Sequence, residues 1–307
     1  MRVLVTGGAG FIGSHVVRKL QAENIDVVVM DDLSGGLKEH LPAGTDLRVV
    51  DIASRDAADI IERENFDKIV HLAAQTMVDV SIKDPLHDSK VNIYGTVNIL
   101  EAARRAKVER IIFASTAAAY GDVAEKDLPI SEDMPLLPLA FYGLSKVTVE
   151  RYLELYKNIF GQKYVVLRFA NVYGERQGDG GEGGVISIFT KRIAKGSGIT
   201  IFGDGHQTRD FVYAGDIAAG IFAALTTEKV NTAYNLSTGK ETDLKTLVEL
   251  LDKVSGKKIE PEYGAERAGD IRRSVLDNKK AVSELNWQPQ MKLEEGLRRT
   301  YEYFLNG

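Results

Sequence analysis

Short apolar runs alternate with longer amphipathic stretches through the first 170 residues of the chain. Six runs rich in valine and isoleucine predict strands, at 2–6, 26–31, 47–51, 68–73, 110–115 and 164–169. Continuous apolar runs of this length suit strands that are buried on both faces of a parallel sheet. Helical patterns lie between them, among others at 13–24, 91–107 and 145–161. Strands that alternate with helices predict a doubly wound α/β fold.

The alternation stops after Phe169. Residues 174–184 contain six glycines and predict a flexible loop or lid, with a plain linker as the alternative. Mixed elements follow: a helix near 185–195, a strand at 199–202, a helix capped by Asp216, a strand at 232–237 that rejoins the sheet, and a helix at 244–256. We therefore predict a smaller mixed α/β domain at the C-terminal end. The predicted division gives 1–170 and 211–237 to the sheet domain, and 171–210 and 238–307 to the second domain.

The composition is that of an ordinary globular protein, with 44% hydrophobic and 27% charged residues among 307. The net charge of −5 provides no basic surface for a nucleic-acid partner. The absence of cysteine excludes disulfides and thiolate nucleophiles, and the histidines at 15, 40, 71, 87 and 206 lack ligand spacing, so we expect no metal site. The first residues do not form a signal peptide and the apolar stretch 217–225 is too short for a bilayer, so we expect a cytoplasmic protein with no membrane partner.

A glycine-rich turn follows the first predicted strand. Gly7, Gly10 and Gly13 have the spacing G-x-x-G-x-x-G and precede a helix. Glycine lets the backbone approach a pyrophosphate, while the helix N-terminus supplies N–H groups and a positive dipole. Asp31, 18 residues after Gly13, suits both ribose hydroxyls of an adenosine and repels a 2′-phosphate, which favours NAD over NADP. Asp51 suits the adenine amino group or, equally well, it is a helix cap or a solvated loop acid.

Tyr142 and Lys146 lie at positions i and i+4 of a predicted helix, so their side chains share one face. A phenol with a pKa of about 10 is a poor base at neutral pH, and a neighbouring ammonium favours its phenolate form. Tyr142 is therefore a candidate for removing a proton from an alcohol while hydride leaves the same carbon. A Tyr–Lys pair on a helix surface is the alternative, and it becomes the lesser one downstream of a dinucleotide turn.

Four motifs occur in the order and spacing of a known superfamily. They are "TGGAGFIG" (6–13), "YGLSK" (142–146), "LRFANVYG" (167–174) and "RDFVYAGD" (209–216). The chain resembles the extended short-chain dehydrogenase/reductases over essentially its whole length, and among them the NAD-dependent nucleotide-sugar enzymes of the UDP-glucose (UDP-galactose) 4-epimerase family. The resemblance implies a Rossmann-type sheet, tightly held NAD, a UDP-hexose substrate and a homodimer formed through helices near 93–107 and 145–160.

The resemblance also assigns roles to residues that match the motifs of the family. The catalytic groups are Thr116, Tyr142 and Lys146. The implied cofactor contacts are Gly7, Gly10, Phe11, Ile12, Gly13, Asp31, Asp32, Ser34, Asp51, Ile52, Leu72, Ala73, Ala74, Asn92, Ser115, Tyr142 and Lys146. The implied substrate contacts are Thr116, Asn171, Val185, Thr200, Phe202, Arg209, Arg267, Asp270 and Ser274. Thr76 stands where many epimerases have a lysine that reaches the cofactor.

The residues after Thr116 bear on the type of reaction. In related 4,6-dehydratases an Asp–Glu pair directly follows the strand-end threonine, whereas this chain has Ala117 and Ala118. The resemblance thus implies epimerisation: oxidation at C4, rotation of the 4-keto sugar and return of hydride to the opposite face. The alanines either give the sugar room to rotate or serve close packing. The alternatives are a UDP-N-acetylglucosamine or UDP-glucuronate 4-epimerase, a 4,6-dehydratase, and a non-catalytic NAD-binding regulator.

The breadth of the substrate range depends, in this family, on the size of a residue that follows a Gly–Asp pair. That position corresponds to Ser274, which is small. The resemblance therefore implies that UDP-N-acetylhexosamines are accepted beside UDP-glucose and UDP-galactose.

Overall fold

The structure, a computed structural model, describes residues 1–178, 184–266 and 271–306. Its strands are β1 (Arg2–Thr6), β2 (Asp26–Asp31), β3 (Asp46–Val49), β4 (Lys68–His71), β5 (Arg110–Thr116), β6 (Lys163–Phe169), β7 (Asn171–Tyr173), β8 (Thr200–Phe202), β9 (Thr208–Arg209), β10 (Phe211–Tyr213), β11 (Thr232–Leu236), β12 (Thr242–Asp243) and β13 (Glu262–Gly264). Its α-helices are α1 (Phe11–Ala22), α2 (Arg55–Arg63), α3 (Val78–Lys83), α4 (Pro85–Ser89), α5 (Thr96–Arg105), α6 (Phe141–Phe160), α7 (Val185–Ala194), α8 (Ala214–Thr226), α9 (Leu244–Ser255), α10 (Lys279–Leu285) and α11 (Leu293–Asn306). A π-helical segment, Lys90–Gly95, leads into α5, and single 3₁₀ turns occupy Lys38–His40, Ala117–Ala119 and Glu125–Asp127.

A parallel sheet of seven strands forms the larger part of the molecule, in the order β11-β6-β5-β4-β1-β2-β3. The chain moves outward from β1 to β3, then returns to the other side of β1 and continues from β4 to β6. The strand order therefore reverses between β1 and β4, as in a doubly wound Rossmann-type sheet. The predicted fold class is confirmed. The prediction that 232–237 rejoins the sheet is also confirmed, because β11 pairs with β6.

Both faces of the sheet are buried, which explains its continuous apolar strands. Val3 and Val5 of β1 belong to one core cluster, together with Ile221 of α8. Leu4 points to the opposite face and belongs to a second cluster with Ile99 of α5. Successive side chains of a strand alternate between faces, so a sheet covered by helices on both sides needs apolar residues at every position.

A third apolar cluster holds the smaller unit together. It brings α7, α9 and α11 together around residues such as Phe189, Leu247 and Leu297. Beside these helices lie three two-stranded pairs, β10–β7, β12–β9 and β13–β8. Leu285 and Trp287, which the sequence assigns to the second domain, pack instead with the first core cluster of the sheet. The predicted division of the chain into two domains stays a prediction. Residues near the C-terminus contribute both to the core of the sheet and to the third apolar cluster.

The role predicted for Asp216 is wrong. Helix α8 begins at Ala214 with Tyr213 at its N-cap, so Asp216 already lies in the first turn. Its carboxylate accepts hydrogen bonds from the backbone N–H groups of Gln290, at 3.1 Å, and Met291, at 3.0 Å. Asp216 therefore fixes the loop before α11 to α8, a long-range contact that the local sequence does not reveal.

Two predicted elements differ from the observed ones in their bounds or helix type. The strand predicted over 68–73 ends at His71, and the helix predicted over 91–107 begins as the π-helical segment Lys90–Gly95. Single π-helical turns occur frequently at functional sites. Among the residues that the structure describes, none of the helices combines the length and the apolar character needed to cross a membrane.

Candidate active site

A cavity of about 390 Å³ opens at the carboxyl ends of the strands, where the strand order reverses. Its walls come from the segments that follow β1, β2, β3, β4 and β6, from the end of β5 and from the start of α6. Open α/β sheets bind ligands in this crevice. The cavity collects the following residues for which the sequence predicts a site role: Gly7, Gly10, Phe11, Ile12, Gly13, Asp31, Asp32, Ser34, Asp51, Ile52, Leu72, Ala73, Ala74, Ser115, Thr116, Tyr142, Lys146 and Asn171.

The turn between β1 and α1 requires glycine at two positions. Gly7 has φ +69°, and a Cβ atom there would lie 2.6 Å from the backbone nitrogen of Ala73. A Cβ atom on Gly13 would collide with the carbonyl oxygen of Gly7. The N-cap of α1 is Gly10, so no side chain occupies the helix N-terminus. Backbone N–H groups there are available to an anion, as a pyrophosphate site requires.

Asp31 stands at the end of β2 in a nearly buried position. Its Oδ2 atom accepts a hydrogen bond from the backbone N–H of Ala9 and its Oδ1 atom from that of Leu33, both at 2.9 Å. Burial raises the pKa of Asp31, while these N–H donors oppose the rise. The next acid, Asp32, accepts hydrogen bonds from the N–H and the hydroxyl of Ser34. The carboxylate that the sequence assigns to the ribose is thus held rigidly at the cavity wall.

The structure excludes one of the alternatives for Asp51, which is an exposed acid. Strand β3 ends at Val49, so Asp51 lies in the following loop rather than at the end of a strand. The cap of α2 is Ser54, whose hydroxyl accepts a hydrogen bond from the backbone N–H of Ala57. The Oδ1 atom of Asp51 accepts a hydrogen bond from the N–H of Ala53 at 2.8 Å. The helix-cap interpretation is therefore wrong, and Asp51 lines the cavity.

Tyr142 and Lys146 occupy the first two turns of α6. The ammonium of Lys146 lies 5.9 Å from the centre of the Tyr142 ring and 4.9 Å from that of Phe113, and it donates a hydrogen bond to the carbonyl oxygen of Ala114 at 2.9 Å. Burial lowers the pKa of Lys146 to about 8, against the opposing charges of Asp88 and Glu150. Lys146 is therefore still mostly an ammonium at neutral pH, although almost no solvent reaches it.

Thr116 is the last residue of β5, and its hydroxyl oxygen accepts a hydrogen bond from the backbone N–H of Ala118 at 3.2 Å. Ala119 is fully buried, and a Cβ atom on Gly143 would lie 2.7 Å from the carbonyl oxygen of Ala118. In the described part of the chain, the cavity is not lined by any residue of the 117–119 turn. Of the two interpretations left open by the sequence, the structure favours close packing of α6 against this turn.

Asn92 is buried behind the cavity and does not belong to its lining. Its Nδ2 atom donates hydrogen bonds to the carbonyl oxygen of Gln75, to Asp88 and to the hydroxyl of Ser145, and its Oδ1 atom accepts one from the N–H of Gln75. Ser145 in turn donates to the carbonyl oxygen of Tyr142. In this structure Asn92 therefore supports the start of α6 from the π-helical segment.

The predicted substrate residues are divided between two places. Asn171 lines the cavity, whereas Val185, Thr200, Phe202, Arg209 and Ser274 are not among its lining residues. The guanidinium of Arg209 donates hydrogen bonds to the carbonyl oxygens of Thr208 and Ile271. Arg267 and Asp270 lie outside the described residues.

Other lining residues received no predicted contact with cofactor or substrate. They are Gly35, Gly36, Val50, Thr76, Val91, Ala114, Phe169, Ala170, Val172, Gln177 and Gly184, of which Thr76 was noted as a departure from the family. Gln177 is the one with distinctive chemistry. Its Nε2 atom donates a hydrogen bond to the carbonyl oxygen of Val172, but its buried Oε1 atom has no hydrogen-bond partner among the residues that the structure describes. A buried acceptor of this kind is costly unless a ligand satisfies it.

A buried histidine, His71, has a structural role that the sequence does not predict. The hydroxyl of Thr96 donates to the carbonyl oxygen of Asn92, so it must accept a hydrogen bond from Nε2 of His71. Nδ1 of His71 then accepts a hydrogen bond from the hydroxyl of Thr6, at 2.7 Å. The oxygen of Thr6 accepts hydrogen bonds from the backbone N–H groups at 72–73, which line the cavity. A neutral His71 thus positions this part of the wall.

Metal chemistry receives no support from the side chains. No group of three or more histidine, aspartate or glutamate residues able to hold a metal ion occurs within 1–178, 184–266 and 271–306. The cavity brings together a glycine-rich turn, a strand-end hydroxyl and a Tyr–Lys pair. Fold and site together define a dinucleotide-binding protein of the doubly wound class with a Tyr–Lys pair at the wall of its cavity.

Comparison with known proteins identifies the family. The model of the NAD dependent epimerase/dehydratase family matches residues 3–237. The UDP-glucose 4-epimerase of Mycolicibacterium smegmatis is 40% identical over 312 residues, which cover 100% of this chain and 99% of that protein. The chain belongs to the NAD dependent epimerase/dehydratase family, and the resemblance inferred from the motifs is confirmed.

Solved structures agree with this assignment. The crystal structure of the UDP-glucose 4-epimerase of Thermotoga maritima with UDP-glucose has a TM-score of 0.94 and 41% identity, covering 99% of this chain and 98% of that one. The Thermus thermophilus UDP-glucose 4-epimerase in complex with NAD has a TM-score of 0.91 and 40% identity, covering 99% of both chains. The similarity thus extends through the smaller unit as well as the sheet.

Proposed function

We propose that this chain is a UDP-glucose 4-epimerase that uses NAD to interconvert UDP-glucose and UDP-galactose. The observation that carries the proposal is the meeting of the glycine-rich turn with Thr116, Tyr142 and Lys146 in one cavity. Membership of the family and full-length similarity to UDP-glucose 4-epimerases support it.

The residues present fit NAD. The glycine turn leaves a backbone cradle that a Cβ atom would fill, and the uncapped N-terminus of α1 suits the pyrophosphate. Asp31 and Asp32 suit the adenosine ribose, Asp51 and Ile52 the adenine, and 72–74 the nicotinamide half. When bound, NAD supplies the acceptor and donor of hydride at C4 of the hexose.

Tyr142 holds and moves the proton of the C4 hydroxyl. As a phenolate it accepts this proton during oxidation, and as a phenol it returns a proton to the keto oxygen during reduction. The ammonium of Lys146, 5.9 Å from the ring, favours the phenolate form. The hydroxyl of Thr116 donates a hydrogen bond to the C4 oxygen and orients it toward Tyr142.

Epimerisation requires the keto hexose to present both faces while the nucleotide stays fixed. The diphosphate anchors proposed for this purpose are Asn171, at the cavity wall, and Arg209, on β9 of the smaller unit, together with Arg267. Guanidinium groups bind phosphate oxygens in a bidentate geometry that resists rotation. The hexose then turns about its bond to a diphosphate that does not move.

Elimination of water is the less suitable reaction for this cavity. A 4,6-dehydratase needs an acid and a base beside the keto sugar, yet residues 117–119 are alanines. Among the described lining residues the carboxylates are Asp31, Asp32 and Asp51, and all three belong to the adenosine end of the site. In the described part of the cavity, the Tyr142 end therefore has proton-transfer groups for the C4 hydroxyl. Within the same described residues, it has no acid and base for eliminating water across C5 and C6.

The decisive experiment is proton NMR of the purified protein with UDP-galactose and, in separate samples, with UDP-N-acetylglucosamine and with UDP-glucuronate, all without added reductant. We expect UDP-glucose to accumulate until the two sugars reach equilibrium. A 4-keto-6-deoxy sugar as product identifies a dehydratase instead. Conversion confined to UDP-N-acetylglucosamine or UDP-glucuronate identifies the corresponding epimerase. If none of these sugars changes, the protein is a non-catalytic NAD-binding regulator and the proposal is wrong.

We further propose a homodimer through the π-helical segment, α5 and α6. The π-helical segment and α6 present exposed apolar side chains, including Tyr94 (60% exposed), Leu155 (53%) and Ile159 (67%). Contiguous exposed apolar residues mark interaction surfaces. Analytical ultracentrifugation should show a dimer for the natural chain and a monomer for the double variant Leu155→Glu/Ile159→Glu. A natural chain that sediments as a monomer contradicts the dimer but leaves the activity untouched.

A further inference from the structure

A buried ion pair lies beside the strand end that carries Thr116. Glu150 of α6 and Arg168 of β6 are 8% and 6% exposed. Nη2 of Arg168 lies 2.7 Å from Oε2 of Glu150, and Nε lies 3.1 Å from Oε1. A buried pair of charges persists only where hydrogen bonds satisfy both groups, and it commonly specifies geometry more than stability. The sequence analysis gave neither residue a role.

The pair is bonded to β5 and its turn on both sides of Thr116. The hydroxyl of Ser115 donates a hydrogen bond to Oε1 of Glu150 at 2.6 Å, and Ser115 lines the cavity. Nη1 of Arg168 donates to the hydroxyl of Tyr120 at 2.8 Å, and Tyr120 ends the turn that follows Thr116. The two charged groups thus hold the residues before and after the candidate catalytic hydroxyl.

The same pair also fixes α6 relative to the sheet. Tyr142, Lys146 and Glu150 follow one another at intervals of four residues, so they lie on one side of the helix over successive turns. Ser115 and Arg168 are direct neighbours across β5 and β6. Glu150 therefore connects the strand end that carries Thr116 to the helix that carries the acid/base pair.

Charge in this region is balanced. Burial alone would lower the pKa of Arg168, but hydrogen bonding and attraction from Glu150 raise it, so the guanidinium remains a cation. Glu150 is also one of the two carboxylates whose charge opposes the loss of the Lys146 proton. Substituting Glu150 alone therefore changes the net charge of this buried region as well as the position of the groups that Glu150 binds. Substituting Glu150 and Arg168 together with uncharged residues leaves the net charge of the region unchanged.

We propose that Glu150 is a positioning residue for the redox step: it ties Ser115 of β5 to α6 and so sets the Thr116 hydroxyl against Tyr142 and Lys146. The inference rests on the proposed function, because it concerns the same site. Arg168 supplies the counter-charge that a buried carboxylate needs. The alternative is that the pair only packs β6 against α6.

Three changes separate the two roles. Glu150→Gln leaves Arg168 as an unpaired buried cation and should lower the melting temperature as well as the activity. The charge-neutral variant Glu150→Leu/Arg168→Met removes that unpaired cation together with the oxygen that accepts the Ser115 hydroxyl, and it should recover much of the melting temperature. Ser115→Ala removes the bond from the strand to Glu150, and because Ser115 is also an implied cofactor contact, bound NAD is measured for this variant. The matched control is Glu260→Gln, which breaks an ion pair with Lys258 at side chains 78% and 83% exposed.

Positioning and packing predict different kinetics. We expect the charge-neutral variant to lose about 10–100-fold in kcat on UDP-galactose, while KM and bound NAD change by less than about twofold. Adding Ser115→Ala to this variant should lower kcat only slightly further, because both changes break the connection between Ser115 and α6. The melting temperature of each variant is measured beside its kinetics.

A second readout needs no turnover. The absorbance of tyrosinate is titrated with pH in each protein and in its Tyr142→Phe counterpart, and the difference reports Tyr142 alone. In the charge-neutral variant β5 is no longer tied to α6, so the carbonyl oxygen of Ala114 that holds Lys146 moves relative to the helix. The titration midpoint of Tyr142 should then rise, because the ammonium stabilises the phenolate less. A role in packing alone leaves this midpoint unchanged.

The outcomes distinguish this inference from the proposed function. If the natural chain epimerises UDP-galactose while the charge-neutral variant keeps its kcat and its Tyr142 midpoint, Glu150 only packs, and the epimerase proposal stands. If the natural chain converts no UDP-sugar, the epimerase proposal fails and the Tyr142 titration decides alone. A raised midpoint then supports the positioning role, and an unchanged midpoint overturns it.

Discussion

The ammonium of Lys146 lies 5.9 Å from the centre of the Tyr142 ring, one helical turn away on α6. Lys146 is held in this place by the carbonyl oxygen of Ala114, at 2.9 Å, so strand β5 sets the position of a helix side chain. The cation therefore faces the phenol without direct access to solvent. Its electrostatic effect on Tyr142 is larger there than it would be in water.

Tyr142→Phe keeps the ring and removes the hydroxyl. We expect kcat for UDP-galactose to fall by about 10³-fold, because the C4 hydroxyl loses its proton acceptor. NAD released on denaturation should be as abundant as in the natural protein. Nearly normal turnover in this variant contradicts the proposed mechanism.

Thr116→Val removes a hydroxyl at nearly constant volume. The C4 oxygen then lacks a hydrogen-bond partner, and we expect kcat to fall by about 10–100-fold. Thr116→Ser restores the hydroxyl and serves as the control, since it can still accept the bond from the N–H of Ala118. Equal activity of the valine and serine variants contradicts a role for the hydroxyl.

Gln177→Leu tests the side-chain carbonyl oxygen at the cavity wall, which has no hydrogen-bond partner within residues 1–178, 184–266 and 271–306. If a ligand donates a hydrogen bond to Oε1, the variant should raise KM for UDP-galactose or release NAD, by about 5–20-fold in affinity. If the oxygen serves no ligand, the variant should melt at a higher temperature with unchanged kinetics, because a buried unpaired acceptor has been removed. Steady-state kinetics and a melting curve on the same sample separate the two results.

Ser274→Tyr tests the substrate range. A small residue at this position should admit an N-acetyl group, so the natural protein should convert UDP-N-acetylgalactosamine as well as UDP-galactose. The larger side chain should lower kcat/KM for the N-acetylated sugar about tenfold more than for UDP-galactose. Competition between the two substrates, followed by NMR, measures this ratio. Failure of the natural protein to convert any N-acetylated sugar contradicts the predicted range.

His71 should make the protein sensitive to acid. Burial, with a smaller effect from Lys146, lowers the pKa of His71 from 6.5 to about 3. Below pH 6.5 the unfolded chain takes up a proton that the folded chain refuses, so the stability due to a neutral His71 is complete above 6.5 and declines as the pH falls toward 3. The slope approaches about 1.4 kcal/mol per pH unit for one proton.

The corresponding measurement compares melting temperatures at neutral and at mildly acidic pH. The fall in melting temperature from neutral to mildly acidic pH should be smaller for His71→Gln than for the natural chain. His15, whose pKa burial lowers to about 4, contributes a similar dependence and accounts for part of the remaining slope. His206→Gln, at an exposed position, is the control and should keep the full slope. An unchanged slope in His71→Gln contradicts a neutral, buried His71.

The sequence by itself determined the features that depend on neighbours along the chain. The continuous apolar runs required a sheet buried on both faces, and the glycine spacing required a tight turn before α1. The spacing of Tyr142 and Lys146 required one helix face. Each of these patterns repeats with the geometry of a single element, so a short window of residues contains it.

Only the tertiary structure decided which distant groups meet. The hydroxyl of Ser115 donates a hydrogen bond to Glu150, 35 residues away, and the hydroxyl of Thr6 donates one to His71, 65 residues away. Asp216 reads locally as a helix cap, yet it binds backbone groups 74 and 75 residues further along the chain. The periodicity of the sequence does not predict which group a polar side chain will bind, because that group is determined by how the helices pack on the sheet. The candidate acid/base pair is thus visible in the sequence, and the buried network that holds it in place is not.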